Sequence, residues 1–263
     1  MSHTLYFCIV LICAWLTSSV LNVIIYRLPY MLQLKTFPHT HFKFFNLFLP
    51  RSHCPHCAKT IAWYHNIPIF AYLFLKGQCA SCSRPIHWRY PLIELSYTLM
   101  IALLFWVYPQ PTLLAAGAFF TACLLIQACI DLELMLLPDV LNYILLWSGL
   151  FANSFLLFCS LQDAVYGALF AYLGLWLFYH IYEKLTHKQG FGYGDFKLFA
   201  AIGGWLGIHK IFSCIMLSAI IGIILGLIWH AKNKSTSNSL GFPFGPALAL
   251  AGYILLLFPN FSL

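Results

Sequence analysis

Charge is scarce in this chain. Only 8% of its 263 residues are Asp, Glu, Lys or Arg, and 62% are hydrophobic. A soluble domain carries about 25% charged residues, so a water-soluble fold is excluded and an integral membrane protein is indicated. Acid is scarcer than base, with seven Asp and Glu against fourteen Lys and Arg. The resulting +7 calls for no nucleic acid, because a membrane protein facing anionic lipid is expected to carry it. Internal repeats and a low-complexity tail are missing, which removes repeat arrays. Strand signals are weak outside one polar insertion, leaving an all-α reading. No glycine-rich nucleotide loop is present, so composition locates no nucleotide pocket. No Lys or Arg precedes the first apolar run, which is also too long for a signal core, so an ordinary cleaved signal peptide is not expected.

What is present is a series of apolar runs. Eight are read, at roughly 4–25, 92–108, 112–130, 140–158, 164–182, 196–208, 211–229 and 246–258. A spanning helix needs about 20 residues, and the sixth and eighth runs are short. The fold class expected is an all-α polytopic membrane protein of about eight transmembrane helices. The first helix occupies residues 1–26, an insertion residues 27–91, and the remaining helical bundle residues 92–263. Lys and Arg fall in 27–89, 184–197 and 232–234, and Lys210 alone lies elsewhere. Cytoplasmic loops are enriched in these residues. An N-terminus outside and eight crossings place all three basic regions in the cytosol, on the same face as Asp131 and Asp195. The connection 230–245 is Gly-, Pro- and Ser-containing and reads as a loop.

The insertion holds Cys54-Pro-His-Cys57 and Cys79-Ala-Ser-Cys82. Each C-x-x-C pair clamps a metal from a tight turn, and two pairs complete a tetrahedral Cys₄ site. A cytosolic location disfavours disulfides. Zinc is therefore the expected metal, on Cys54, Cys57, Cys79 and Cys82. A closed Cys₄ set leaves no position for water, so its role is structural. Short hairpins are expected to carry the pairs. The other six cysteines lie in apolar runs, where cysteine behaves as a small hydrophobe.

Two aspartates sit where hydrocarbon makes them costly. Asp131 closes the run TLLAAGAFFTACLLIQACI, and Asp195 lies in GFGYGDFKLFAAIGGWLG. Asp131 follows the last turn of its helix, where the dipole opposes charge. Asp195 opens a helix, where the dipole favours it. One neutral and one ionised carboxyl is the division of labour of an aspartic protease, so the two are candidate catalytic groups. Either has a plainer account: Asp195 as a helix cap, Asp131 as an interfacial turn residue. Gly192 and Gly194 allow close backbone approach. Asp139 competes with the pair, although a proline-initiated helix start explains it. Lys197, two residues from Asp195, does not face it on a helix and is expected to reach headgroups. Glu94 is read as either compensating a helix dipole or making a polar contact to the insertion or a substrate.

In its motifs the chain resembles the bacterial type IV prepilin peptidases (leader peptidase/N-methyltransferase), membrane aspartyl proteases of the G-x-G-D type. The likeness runs through SSVLNVIIYRLP, NLFLPRSHCPHCAKTIAWYHNIPIFAYLFLKGQCASC, RYPLIE, DLELMLLPD, GYGDFKLFAAIGGWLG and PFGPAL, in order. The resemblance implies cleavage of the basic leader of type IV prepilins and type II secretion pseudopilins at the cytoplasmic face of the inner membrane, with Asp131 and Asp195 as the catalytic pair. It also implies N-methylation of the new terminus with S-adenosylmethionine. Two other readings share features with this chain. One is a presenilin-like intramembrane protease. The other, of a different class, is a zinc-sensing transporter or assembly scaffold.

Overall fold

Backbone polar groups in hydrocarbon find partners within a helix or a closed barrel. This chain takes the first route. The computed structural model describes residues 3–35, 45–54, 56–187, 192–232 and 242–261, with Trp63, His65 and Lys232 placed by backbone alone. No strand occurs among the described residues. Two isolated antiparallel bridges, His53 to Thr60 and Gln78 to Pro85, are the hairpins expected around the cysteine pairs. The chain forms two compact units, Met1–Val107 and Tyr108–Leu263.

In the first unit, α1 (His3–Met31) lies antiparallel to α3 (Arg89–Val107), with the short α2 (Phe70–Phe74) between them in sequence. Rings knit one end: His3 and Phe7 meet Phe105 with centroids 5.1 and 4.9 Å apart. At the other end Asn22 donates to the Tyr90 carbonyl and to Glu94 Oε1. The first helix is longer than expected. It runs through Arg27 and Pro29, so Arg27 lies inside it instead of beginning a cytosolic loop. The guanidinium is buried and donates to the carbonyls of Asn46, Leu47 and Pro50. It also lies over the Phe45 ring. A fork of fixed donors suits this collection of carbonyls better than an ammonium would.

The second unit contains α4 (Pro111–Leu134), α5 (Asp139–Ser154), α6 (Leu161–Thr186), α7 (Tyr193–Leu206), α8 (Ile211–Lys232) and α9 (Gly245–Leu257). Ten of the fourteen α7 residues are buried, which makes this helix the core of the unit. It packs against α5, α6 and α9. Close packing rests on small residues: the Gly203 backbone abuts that of Gly167, and the Trp205 ring lies on Gly149. Trp205 Nε1 donates to Leu145 O at 2.7 Å. Asn153 donates to Gly204 O and Trp205 O and accepts from Phe158 N and Cys159 N. Lys210, the basic residue outside the three clusters, donates to the carbonyls of Phe258, Pro259 and Phe261 beyond α9.

Each of the eight apolar runs is helical over most of its length, the fourth only as far as Ser154, and among the described residues five of these helices are long and apolar enough to cross a membrane. The other three, α5, α7 and α9, have 16, 14 and 13 residues. The run ending at residue 130 continues as helix to Leu134, so Asp131 lies within the last turn of α4 and not after it. Met135 closes that helix in the left-handed region, its N–H donating to Asp131 O. Most of the loop read at 230–245, and the start of the Gly-rich segment before Gly192, lie outside the described residues.

Candidate active site and metal centre

Three helix starts gather around the end of α4. Asp131 comes from α4, Asp139 from the first residue of α5, Asp195 from the third residue of α7, and Gly245 from the first residue of α9. The contact residue is Leu137, in the α4–α5 turn. A β-carbon on Gly194 would lie 2.9 Å from Leu137 Cβ, and one on Gly245 would lie 3.1 Å from Leu137 Cδ2. Only glycine lets α7 and α9 both approach this turn.

Asp131 and Asp195 are 4% and 8% exposed, whereas the Asp139 side chain is 52% exposed. The structure thus separates the three aspartates that the sequence set in competition. Each buried carboxylate is pinned through one oxygen by a backbone N–H. Gly245 N donates to Asp131 Oδ2 at 2.8 Å, and Gly192 N donates to Asp195 Oδ2 at 3.2 Å. Asp195 therefore also caps its own helix, as the plainer account had it. Among the described residues neither Oδ1 accepts a hydrogen bond. The two carboxyl groups lie within electrostatic range of each other. Lys197 does not pair with Asp195. It bonds Asp139 at 2.7 Å, a partner that sequence spacing concealed. Sequence reading also missed Gly245 as a site residue, although a Gly-Pro step opening an apolar run was a visible signal of a helix start. Gln127, one turn before Asp131, is buried, and among the described residues neither of its amide atoms has a hydrogen-bond partner. Glu94 belongs to the other unit. It is buried and accepts from Asn22 Nδ2 at 3.0 Å and from Ile69 N at 2.7 Å.

The four insertion cysteines come together. Their sulfurs all lie within 4.8 Å of one another, and those of Cys54 and Cys82 are 3.9 Å apart. A tetrahedron with Zn–S bonds near 2.3 Å has edges of about 3.8 Å, so the set fits that ion. Two equivalent turns build it. Ala58 N donates to Cys54 O and Ser83 N to Cys79 O, while Cys54 N donates to Lys59 O and Cys79 N to Arg84 O. The residue after each pair, Ala58 or Ser83, is left-handed, with φ of 54° and 56°. This folds each C-x-x-C back so that both sulfurs face one point. The Ser81 N–H donating to Cys79 Sγ leads the effects that pull this thiol down to about 6, favouring the thiolate a metal requires. Arg84 Nη1 lies 3.1 Å from His56 Nδ1, joining the two turns outside the sulfurs.

Comparison with known proteins covers most of both units. Residues 12–108 match the Bacterial Peptidase A24 N-terminal domain, and residues 118–227 match the Type IV leader peptidase family. A prepilin leader peptidase/N-methyltransferase of Stutzerimonas stutzeri is 41% identical, over 94% of this chain and 89% of its own. The protein of that name from Pseudomonas aeruginosa is 41% identical over 97% and 92%, and the one from Aeromonas hydrophila 42% over 96% and 91%. No solved structure matches the chain. With both halves accounted for and likeness extending nearly end to end, the chain belongs to the type IV leader peptidase family.

Proposed function

We propose that this protein is a prepilin leader peptidase in which Asp131 and Asp195 are the catalytic carboxylates. The observation that carries this is their arrangement: two buried aspartates from different helices, each held through one oxygen by a backbone N–H, with no hydrogen bond to the other oxygen among the described residues. Such a pair shares protons as a unit. One carboxylate takes a proton from water as the water attacks the scissile carbonyl, and the other, protonated, polarises that carbonyl. The Gly245 and Gly192 N–H groups hold the carboxylates in register through this exchange. Water is the nucleophile, so no covalent acyl-enzyme forms.

The substrates are type IV prepilins and pseudopilins, cut at the junction of the basic leader and the apolar helix. The setting is the inner membrane, with the N-terminus outside and the site toward the cytosol. The clustering of Lys and Arg supports that orientation, and the bonding of Lys210 to carbonyls after α9 accounts for the single exception. Zinc would be held by Cys54, Cys57, Cys79 and Cys82 and would brace the insertion without entering the reaction. Methyl transfer from S-adenosylmethionine to the new terminus is supported by the relatives' name. The test is incubation of the purified protein with a prepilin, followed by mass measurement. A leader-sized loss reports proteolysis, and a further methyl increment reports the second activity. An unchanged mass with intact protein overturns the reading.

A further inference from the structure

The insertion contains a nine-residue uncharged run, Ile67-Pro-Ile-Phe-Ala-Tyr-Leu-Phe-Leu75, bounded by Asn66 and Lys76. It is too short to cross a bilayer. We infer that this run is a re-entrant segment lying in the hydrocarbon layer, with lipid acyl chains against Phe70, Leu73 and Phe74.

Depth along α1 supports this. Asn22 is level with the first turns of α3, which it bonds at Tyr90 and Glu94. Trp15 lies two turns deeper, about 10 Å along the helix. The Phe70 ring packs edge-on against Trp15, with centroids 5.4 Å apart. Ile67 and Pro68 share a groove with Trp15, Leu16 and Val20. The run therefore lies beside the middle of a spanning helix, not beyond its end. At this depth Phe70, Leu73 and Phe74 are 52%, 64% and 83% exposed. They continue the exposed stripe of α1 formed by Leu5, Ile9, Ile12, Leu16 and Val20, which is the face a spanning helix offers to lipid. Lys76, the first charged residue after the run, ends it.

Irregular backbone at membrane depth requires protein partners. Ile69, a β-branched residue at φ +59°, is where the segment turns into α2. Its N–H donates to Glu94 Oε2, and Ala71 N and Leu73 N donate to Ile67 O and Ile69 O. A buried glutamate in a spanning helix thus acquires a positioning role: it satisfies the tip of the segment while Asn22 holds its other oxygen. The Cys54–Cys57 turn precedes the segment and the Cys79–Cys82 turn follows it, so the cysteine cluster closes its neck.

The test uses the full chain in phosphatidylethanolamine and phosphatidylglycerol vesicles, with a dansyl-bearing amino acid introduced at position 74 or, as a reference, at exposed position 59. Expected is several-fold stronger quenching at 74 by a phospholipid brominated in mid-chain than by aqueous iodide, with the reverse order at 59. Iodide quenching at 74 equal to that at 59 overturns the inference, as does protection from both quenchers, which would mean that protein covers the face. Glu94→Gln keeps a carbonyl acceptor and should preserve lipid quenching at 74, whereas Glu94→Leu should shift it toward iodide. If Glu94→Leu does not fold, the two-quencher comparison in the otherwise unaltered protein decides alone.

Discussion

The amide of Gly245 donates a 2.8 Å hydrogen bond to Asp131 Oδ2 across 114 residues of sequence. This bond ties the end of α4 to the start of α9. A β-carbon at residue 245 would stand 2.7 Å from the same oxygen. Gly245→Ala should therefore displace the carboxylate and reduce prepilin cleavage about 10²-fold, the scale of a 1 Å misplacement. Gly174→Ala, where nothing lies within 4 Å, should leave the rate unchanged. Initial rates of leader release from purified variants check both.

Asp131→Asn and Asp195→Asn should each lower cleavage by about 10³-fold or more, the upper range of acid–base contributions. Asp139→Asn breaks the pair with Lys197, and that pair is partly exposed. Such pairs contribute less than about 1 kcal/mol, so cleavage should stay within a few-fold of the parent and only thermal stability should fall slightly. Near-parental cleavage by either of the first two variants would end the assignment.

Metal analysis of reduced, purified protein should find one zinc per chain. Cys54→Ser, at the most buried of the four cysteines, should abolish it and expose the insertion to protease. Asp131 and Asp195 belong to the other compact unit, so cleavage should persist in freshly prepared protein at reduced stability.

In metal-free protein, Cys79 should show an acid-shifted thiol. Its pKa falls from 9.0 to about 6, led by the Ser81 N–H. Cys82 beside it moves the opposite way, up to about 11, so the two shifts offset in their contribution to folding and one thiol of the pair ionises early. Alkylation followed by peptide mass mapping should thus show Cys79 reacting at pH 7 with a midpoint near 6. A midpoint near 9 would show that the turn does not form without metal.

Gln127 is buried, and both its amide atoms lack a partner among the described residues. Removing an unpaired buried polar group in favour of an apolar one of similar shape is neutral or stabilising. Gln127→Leu should hold or raise the thermal midpoint in detergent. A clear fall would reveal a bonded partner for the amide.

Much of the fold was legible because hydrocarbon imposes a simple rule: a long uncharged run must be a helix. Each of the eight runs forms a helix over most of its length, although Glu94 and Lys197 lie within two of them and the fourth helix stops at Ser154. The places where reading went astray share a cause. Helix ends such as Leu134 and Met31 are set by capping and by partners, not by where hydropathy stops. Arg27 looked like the start of an aqueous loop, yet it is buried because carbonyls from residues 46–50 collect around it. Lys197 found Asp139 on a neighbouring helix, a partner that i, i+4 spacing cannot show.

Sequence alone determined the membrane class, the eight apolar helices, the family resemblance and the clustering of the four cysteines, because composition and local spacing carry that information directly. Tertiary structure decided which of three candidate aspartates are buried together, which glycine amide holds one of them, and what Glu94 bonds. Those outcomes depend on which distant helix ends meet, and burial and hydrogen-bond partnership belong to that meeting and not to any stretch of the chain.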